Sequence, residues 1–252
     1  MTKSLSFALA GLLAAAGTAR ADLQTCGSAQ YDPSQYVCYD SSFLCPIIAG
    51  EGLSYCSGAC YSSTMYTCTN NVLTQLTPLA AGTPFTLSVS NPANTAVDGL
   101  AVNACNLTWN LGVETCSYCP DSGVECPVGN TTVISAGADG SSMTGMDVVV
   151  PGGQTVYLDS TGAVGYTQAH SASIPDGATQ GGLVAYSGGG FVNLNSGGYG
   201  WAACPPTSQA GGSGYTLFAV SAANKDTLAS CTPINLKVNV QPEGTVGAWE
   251  YY

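Results

Sequence analysis

Six of the chain's 12 cysteines, Cys26, Cys38, Cys45, Cys56, Cys60 and Cys68, fall within 43 consecutive residues of a 252-residue sequence. They make up about 14 per cent of that window, above the roughly 8–10 per cent that marks a disulfide scaffold. So short a segment cannot bury enough apolar surface to fold on a hydrophobic core alone. Three bridges compensate by restricting the unfolded chain, each contributing about 3 kcal/mol for a loop of about 15 residues. The segment also repeats itself: Cys26, Tyr31, Tyr36, Cys38 and Phe43 recur 30 residues later as Cys56, Tyr61, Tyr66, Cys68 and Leu73. Six cysteines allow 15 connectivities. Pseudo-symmetric halves predict one in which each half closes its own loop, Cys26–Cys38 and Cys56–Cys68, and Cys45 joins Cys60.

Disulfides of this density belong to an oxidising compartment, and the N-terminus agrees. Lys3, the apolar run Leu5 to Ala16 and the small-x-small pattern Ala19-Arg20-Ala21 form a secretory leader over residues 1–21. No later stretch approaches the roughly 20 apolar residues of a membrane span, and Gly247 to Tyr252 is no hydrophobic anchor tail. The expectation is a secreted protein, extracellular or wall-associated, with no membrane partner. Loss of Lys3 and Arg20 with the leader takes the formal charge from −11 to −13 and leaves Lys225 and Lys237 as the strong cations. That balance excludes nucleic acid, whose phosphates need a basic face, and favours a monomer. Asn106-Leu107-Thr108 and Asn130-Thr131-Thr132 are glycan acceptor motifs, so Asn106 and Asn130 are candidate glycosylation sites.

Residues 22–73 read as the disulfide-rich module and 74–84, uncharged and interrupted by Pro78, Gly82 and Pro84, as a linker. From residue 85 to 252 short β-branched and aromatic runs alternate with Gly, Ser, Asn and Asp turns. The runs are Phe85 to Val89, Thr132 to Ser135, Asp147 to Val150, Thr155 to Leu158, Leu183 to Tyr186, Phe191 to Leu194, Tyr215 to Val220 and Ile234 to Val240. Only Ser221 to Leu228 suits a helical turn. The fold class is therefore a small disulfide-rich N-terminal module plus an all-β C-terminal domain, a sandwich or barrel, with a β-trefoil as the alternative. Its cysteines, Cys105, Cys116, Cys119 and Cys126, then Cys204 and Cys231, complete an even count. Cys116-Ser-Tyr-Cys119 has the spacing of a zinc half-site, but no second pair or ligating His lies nearby, so these too are read as structural disulfides, with no metal and no cofactor.

Candidates for catalysis are sparse. His170 is the sole imidazole, and no Gly-x-Ser-x-Gly elbow occurs. Asp98, Glu114, Asp121, Glu125, Asp139, Asp147, Asp159 and Asp176 are scattered singly and read as turn-formers or solvated charges rather than as a glycosidase pair. Glu51, in Ala-Gly-Glu-Gly, reads as a turn residue. No catalytic residue is assigned and the chain is expected not to be an enzyme.

The tyrosines of the module are more informative. Tyr31, Tyr36, Tyr39, Tyr55, Tyr61 and Tyr66 share a segment without Lys or Arg, and their alternative role is to cover the disulfides of a mini-core. An aromatic face stacks on the C–H face of a pyranose ring while phenols and amides hydrogen-bond its hydroxyls, and a neutral sugar needs no charge complement. Tyr31, Tyr36, Tyr39, Tyr61 and Tyr66 are the candidate carbohydrate contacts. Cys26-Gly27, Tyr31-Asp-Pro-Ser-Gln-Tyr36-Val-Cys38, Phe43-Leu-Cys45-Pro46, Gly52, Cys56, Ala59-Cys60-Tyr61 and Tyr66-Thr-Cys68 together resemble the carbohydrate-binding module, family 52, of fungal endo-1,3(4)-β-glucanases. The resemblance implies binding of β-1,3-glucan, the fibrous polymer of fungal walls. The large catalytic domain of those enzymes has no counterpart here. Tyr157-Leu-Asp-Ser-Thr-Gly162, Phe191-Val-Asn-Leu194, Trp201-Ala-Ala-Cys204-Pro205 and Cys231 resemble phialide-type secreted fungal cell-wall proteins, which implies a non-enzymatic, wall-associated β domain. The expected function is a secreted, non-catalytic carbohydrate-binding protein whose polysaccharide partner is β-1,3-glucan. A small secreted glucan hydrolase and a chitin- or host-glycan-binding interaction factor are the alternatives.

Overall fold

In a computed structural model, which describes residues 22–48, 51–121, 123–137, 144–197, 200–206 and 214–252, each half of the cysteine repeat is a pair of β-hairpins. The expected leader and Asp139 lie outside the described residues. The module's strands are β1 (Gln24–Cys26), β2 (Ala29–Tyr31), β3 (Tyr36–Tyr39), β4 (Phe43–Ile48), β5 (Glu51–Gly52), β6 (Ser54–Cys56), β7 (Ala59–Tyr61), β8 (Tyr66–Thr69) and β9 (Val72–Gln75). Hairpins β1–β2 and β3–β4 form the first half, and β6–β7 and β8–β9 the second, with β5 added to β4. Ser57-Gly58 and Asn70-Asn71 close the second-half hairpins with all four φ values between 45° and 90°. Such two-residue turns match the right-handed twist of the strands they join.

The loops between paired hairpins are chemically equivalent. Asp32 accepts hydrogen bonds from the Ser34 amide and hydroxyl at 2.8 and 2.6 Å, which holds its carboxyl below the usual carboxylate range. In the second half the Ser62 hydroxyl takes that place, accepting from the Thr64 amide at 3.3 Å. Disulfides join Cys26 to Cys38, Cys56 to Cys68 and Cys45 to Cys60, the pairing that the repeat predicts. Among the described residues of the module the fully buried hydrophobic ones are Cys26, Cys45 and Cys56. Its interior is therefore largely sulfur.

The remaining strands are β10 (Pro84–Ser90), β11 (Val102–Cys105), β12 (Thr108–Leu111), β13 (Ser117–Tyr118), β14 (Ile134–Ser135), β15 (Gly145–Met146), β16 (Gln154–Leu158), β17 (Val164–Tyr166), β18 (Leu183–Ala185), β19 (Phe191–Asn193), β20 (Trp201–Cys204), β21 (Tyr215–Ala219), β22 (Thr232–Val240) and β23 (Glu250–Tyr251). Antiparallel ladders run β17–β16–β15–β14–β10–β22–β20–β21. Ala163 bridges to Phe218 and the Ala219 amide donates to the Gly162 carbonyl at 2.8 Å, so the last strand meets the first. Where β17 and β21 diverge, β12 wedges between them, Thr108 opposite Gly165 and Asn110 opposite Thr216. Of the expected architectures these pairings make the barrel, which removes most open sheet edges. Alternation along β10, β16 and β22 sends Phe85, Leu87, Val89, Val156, Ile234 and Leu236 inward.

The hairpin β18–β19 delivers Phe191 into this core, with ring centroids 5.7 Å from Phe85, 5.9 Å from Trp109 and 5.5 Å from Trp201. Disulfides Cys105–Cys116, Cys119–Cys126 and Cys204–Cys231 staple the loops. Ser221 to Leu228 forms hydrogen-bonded turns, and the 3₁₀ turn Leu194–Ser196 is the helical element among the described residues. The expected strand Asp147 to Val150 is corrected. Val148 makes a single parallel bridge to Ala248, and the Val149 and Val150 amides donate to Ala248 and Trp249, so this segment bonds to the C-terminal chain instead of extending a ladder.

Asp147, in that segment, is half-buried, and burial pushes its carboxyl above the ordinary value of 3.8. A raised folded-state pKa means that the fold holds the proton more tightly than the unfolded chain does. The penalty is absent below the ordinary value and grows as pH rises through the folded one. Asp147→Asn is expected to melt above the native protein at about pH 7, with the gap closing toward about pH 3. Equal melting temperatures at about pH 7 would count against this assignment.

Candidate carbohydrate-binding site

The module's second half sits against the β domain, and two glycines permit the approach. A Cβ on Gly189 would lie 2.5 Å from the Thr64 carbonyl oxygen and 2.6 Å from Leu76 Cδ1, and one on Gly190 2.7 Å from Thr64 Cβ. Without side chains there, the Gly190 amide donates to the Thr64 carbonyl at 2.9 Å. The segment 74–84 is laid along the same hairpin: the Ser187 amide donates to Thr77 at 3.0 Å and the Leu79 amide to Ala185 at 2.8 Å. The second half therefore faces the β domain across a fixed seam.

That seam opens into a groove of about 560 Å³, within the roughly 300–1,000 Å³ of small-ligand sites. Tyr61, from the end of β7, and Tyr66, from the start of β8, line it from the module. Phe191 and Asn193 of β19 and Asn235 of β22 line it from the barrel, over buried Trp201. The Trp201 indole N–H donates to the Phe191 carbonyl at 2.8 Å, so this ring is a floor, and exposed aromatic surface comes from the tyrosines. Ile48, Leu73 and Leu194, each 39–47 % exposed, add apolar rim. Polar groups are neutral except one. The Glu51 carboxylate accepts from the Asn235 side-chain amide and from the Ser63 hydroxyl at 3.3 Å. Among the described residues no Lys, Arg or His lines the groove.

The five tyrosines singled out by sequence do not form one platform. Tyr61 and Tyr66 share the groove; Tyr31 and Tyr36, their repeat equivalents, stand outside it. Tyr36 is exposed, and the Tyr31 hydroxyl donates to Gln24 Oε1 at 2.9 Å. Tyr39 stacks on Tyr55 at 5.8 Å and donates its hydroxyl to the Leu53 carbonyl at 3.1 Å, within the aromatic cover that Phe43 completes at 4.7 Å from Tyr55.

The reading of Glu51 as a turn residue is corrected. It opens β5 opposite Ile48, and Gly52 beside it is a close-approach glycine whose Cβ would meet Val37 Cγ2 at 2.5 Å. Asn235 carries no local signal, because its partner Glu51 is 184 positions away, and Asn193, whose Oδ1 accepts from the Asn195 amide, reads locally as a turn residue. Asp98 and Asp159 are turn-formers, accepting from the Asn91 amide and from the Thr161 and Ala163 amides. His170 is exposed at φ 60°, outside the groove, and both sequons, Asn106 and Asn130, are exposed.

A disulfide-stapled module with aromatic groove walls, carried on a β barrel, defines a carbohydrate-binding protein, and residues 25–73 match the family described as carbohydrate binding. Residues 85–252, two thirds of the chain, match the PhiA-like secreted protein family, and the chain belongs to that family. It is a secreted protein. A secreted protein of Arthroderma benhamiae is 39 % identical over 99 residues, 39 % of this chain and 48 % of that one. The primary septum glucan endo-1,3-beta-D-glucosidase of Schizosaccharomyces pombe is 47 % identical over 51 residues, 20 % of this chain and 5 % of that enzyme. The chain thus aligns with about half the length of the first relative and a small fraction of the second. No solved structure matches it. Among the described residues no helix is long and apolar enough to cross a membrane.

Proposed function

We propose that this protein is a non-catalytic binder of β-1,3-glucan in the fungal wall, holding the polymer on the tyrosines of its N-terminal module. The observation that carries the reading is the groove's chemistry among the described residues: two tyrosine rings, hydroxyls and amides, no cation and one carboxylate. Neutral polyhydroxyl chains need stacking faces and hydrogen bonds rather than opposite charge. Glycoside hydrolysis ordinarily needs two carboxyl groups flanking the bond, and Glu51 faces no second acid among the described groove residues. The similarity of the module to part of an enzyme named for endo-1,3-β-glucan cleavage supports glucan as the polymer. Half-buried Tyr31 and exposed Tyr36 repeat the groove pair outside the groove, which suits a polymer with many equivalent sites.

A small aromatic site binds with a dissociation constant of roughly micromolar to millimolar, yet particulate glucan retains the protein through rebinding. The expected result is depletion from solution by particulate β-1,3-glucan, unaffected by salt and weaker on cellulose or chitin. Tyr36→Ala with Tyr66→Ala, disulfides intact, removes most of the retention. An unchanged bound fraction would refute the tyrosine assignment, and preference for chitin would refute the polymer. Release of reducing sugar from soluble β-1,3-glucan by the pure protein would refute the non-catalytic part.

A further inference from the structure

We infer that the β domain is half of the sugar site: Asn193 and Asn235 reach the same glucan segment that stacks on Tyr61 and Tyr66. This rests on the glucan reading and extends it from the module to the whole chain. The barrel supplies one wall of the groove, and among its polar lining residues are two carboxamides, one offering its NH₂ and the other its carbonyl to sugar hydroxyls.

Asn193 is held for this. It ends β19, and its Oδ1 accepts from the Asn195 amide at 3.0 Å, which fixes the carboxamide. Its NH₂ has no hydrogen-bond partner among the described residues, and Asn193 is one of the residues that line the groove. The Asn235 NH₂ donates to Glu51, tying the barrel to the module and leaving its carbonyl as an acceptor. Three exposed apolar residues also line the groove, Leu194 from the barrel and Ile48 and Leu73 from the module. A sugar ring between them meets C–H surface on both flanks and hydrogen-bonding groups at its edges. Among the described residues Tyr31 and Tyr36 of the first half do not line this two-walled groove, so they grip the polymer from one side. The chain thereby carries one open and one enclosed sugar surface built from the same repeat.

The test uses the full-length disulfide-bonded protein and a soluble β-1,3-gluco-oligosaccharide. Titration followed by ¹H–¹⁵N NMR is expected to shift the side-chain NH₂ signals of Asn193 and Asn235 together with the backbone amides around Tyr66. Gly189→Ala, which wedges the seam against Thr64 without changing any groove residue, and Asn193→Ala with Asn235→Ala are each expected to weaken calorimetric affinity about tenfold. If either variant fails to fold, the NMR titration of the native protein decides. Shifts confined to the module, with affinity unchanged in the asparagine variant and lost in Tyr66→Ala, would overturn this inference and leave the glucan reading standing. No binding of either soluble or particulate β-1,3-glucan by the native protein would overturn both.

Discussion

Replacing Cys45 and Cys60 together by Ala is expected to unfold the N-terminal module at 25 °C while the barrel stays folded. Half-cystines supply the module's fully buried hydrophobic residues, and its tyrosines are half-buried or exposed, so little apolar burial opposes chain entropy. Cys45–Cys60 closes a separation of 15 residues and is the covalent bridge between the two repeat halves, which otherwise share the β4–β5 pairing, the packing of Tyr39 and Phe43 on Tyr55, and the chain itself. Its removal costs about 3 kcal/mol, comparable to the whole stability of a segment of this size. The barrel keeps its own core and its three disulfides. Limited proteolysis should release fragments of residues 22–75 and leave the rest resistant, and retention on particulate glucan should be lost. A variant that resists protease throughout and still binds would show that hairpin packing, not sulfur, holds the module.

How far such features are visible in sequence depends on their range. The repeat is local, and its register of Cys, Tyr and apolar positions leads to the Cys26–Cys38 and Cys56–Cys68 pairs without any tertiary information. The all-β character also follows from short β-branched runs, yet Trp201–Cys204, a fully buried strand of Trp, Ala, Ala and Cys, carries no β-branched residue to reveal it. Barrel closure depends on β12 wedging between β17 and β21, a matter of register across some hundred residues that propensity does not encode. The groove is still less legible. Glu51 and Asn235 are 184 positions apart, and each has an ordinary local explanation, a Gly-flanked turn and a strand polar residue. Gly189 and Gly190 read as a hairpin turn, whereas their lack of side chains is what lets Thr64 reach the barrel.

Phe191→Ala is expected to destabilise the barrel by about 3–5 kcal/mol and to abolish oligosaccharide binding in the same variant. The ring is 1 % exposed and touches three other aromatics, Phe85, Trp109 and Trp201, so truncation loses the transfer free energy of the ring and leaves a cavity among rigid neighbours. Trp201 stacks on Phe191 at 14° between planes, and with the ring gone it has room to tilt out of the groove floor. Phe191→Leu fills most of the space and should recover most of the stability. Denaturant unfolding monitored by tryptophan fluorescence, with the slope unchanged, reads the first effect and calorimetry the second. A loss below about 1 kcal/mol would mean that Phe191 is not core. The full loss in stability with unaltered oligosaccharide affinity would separate the barrel's packing from the groove and assign the sugar contacts to the module alone.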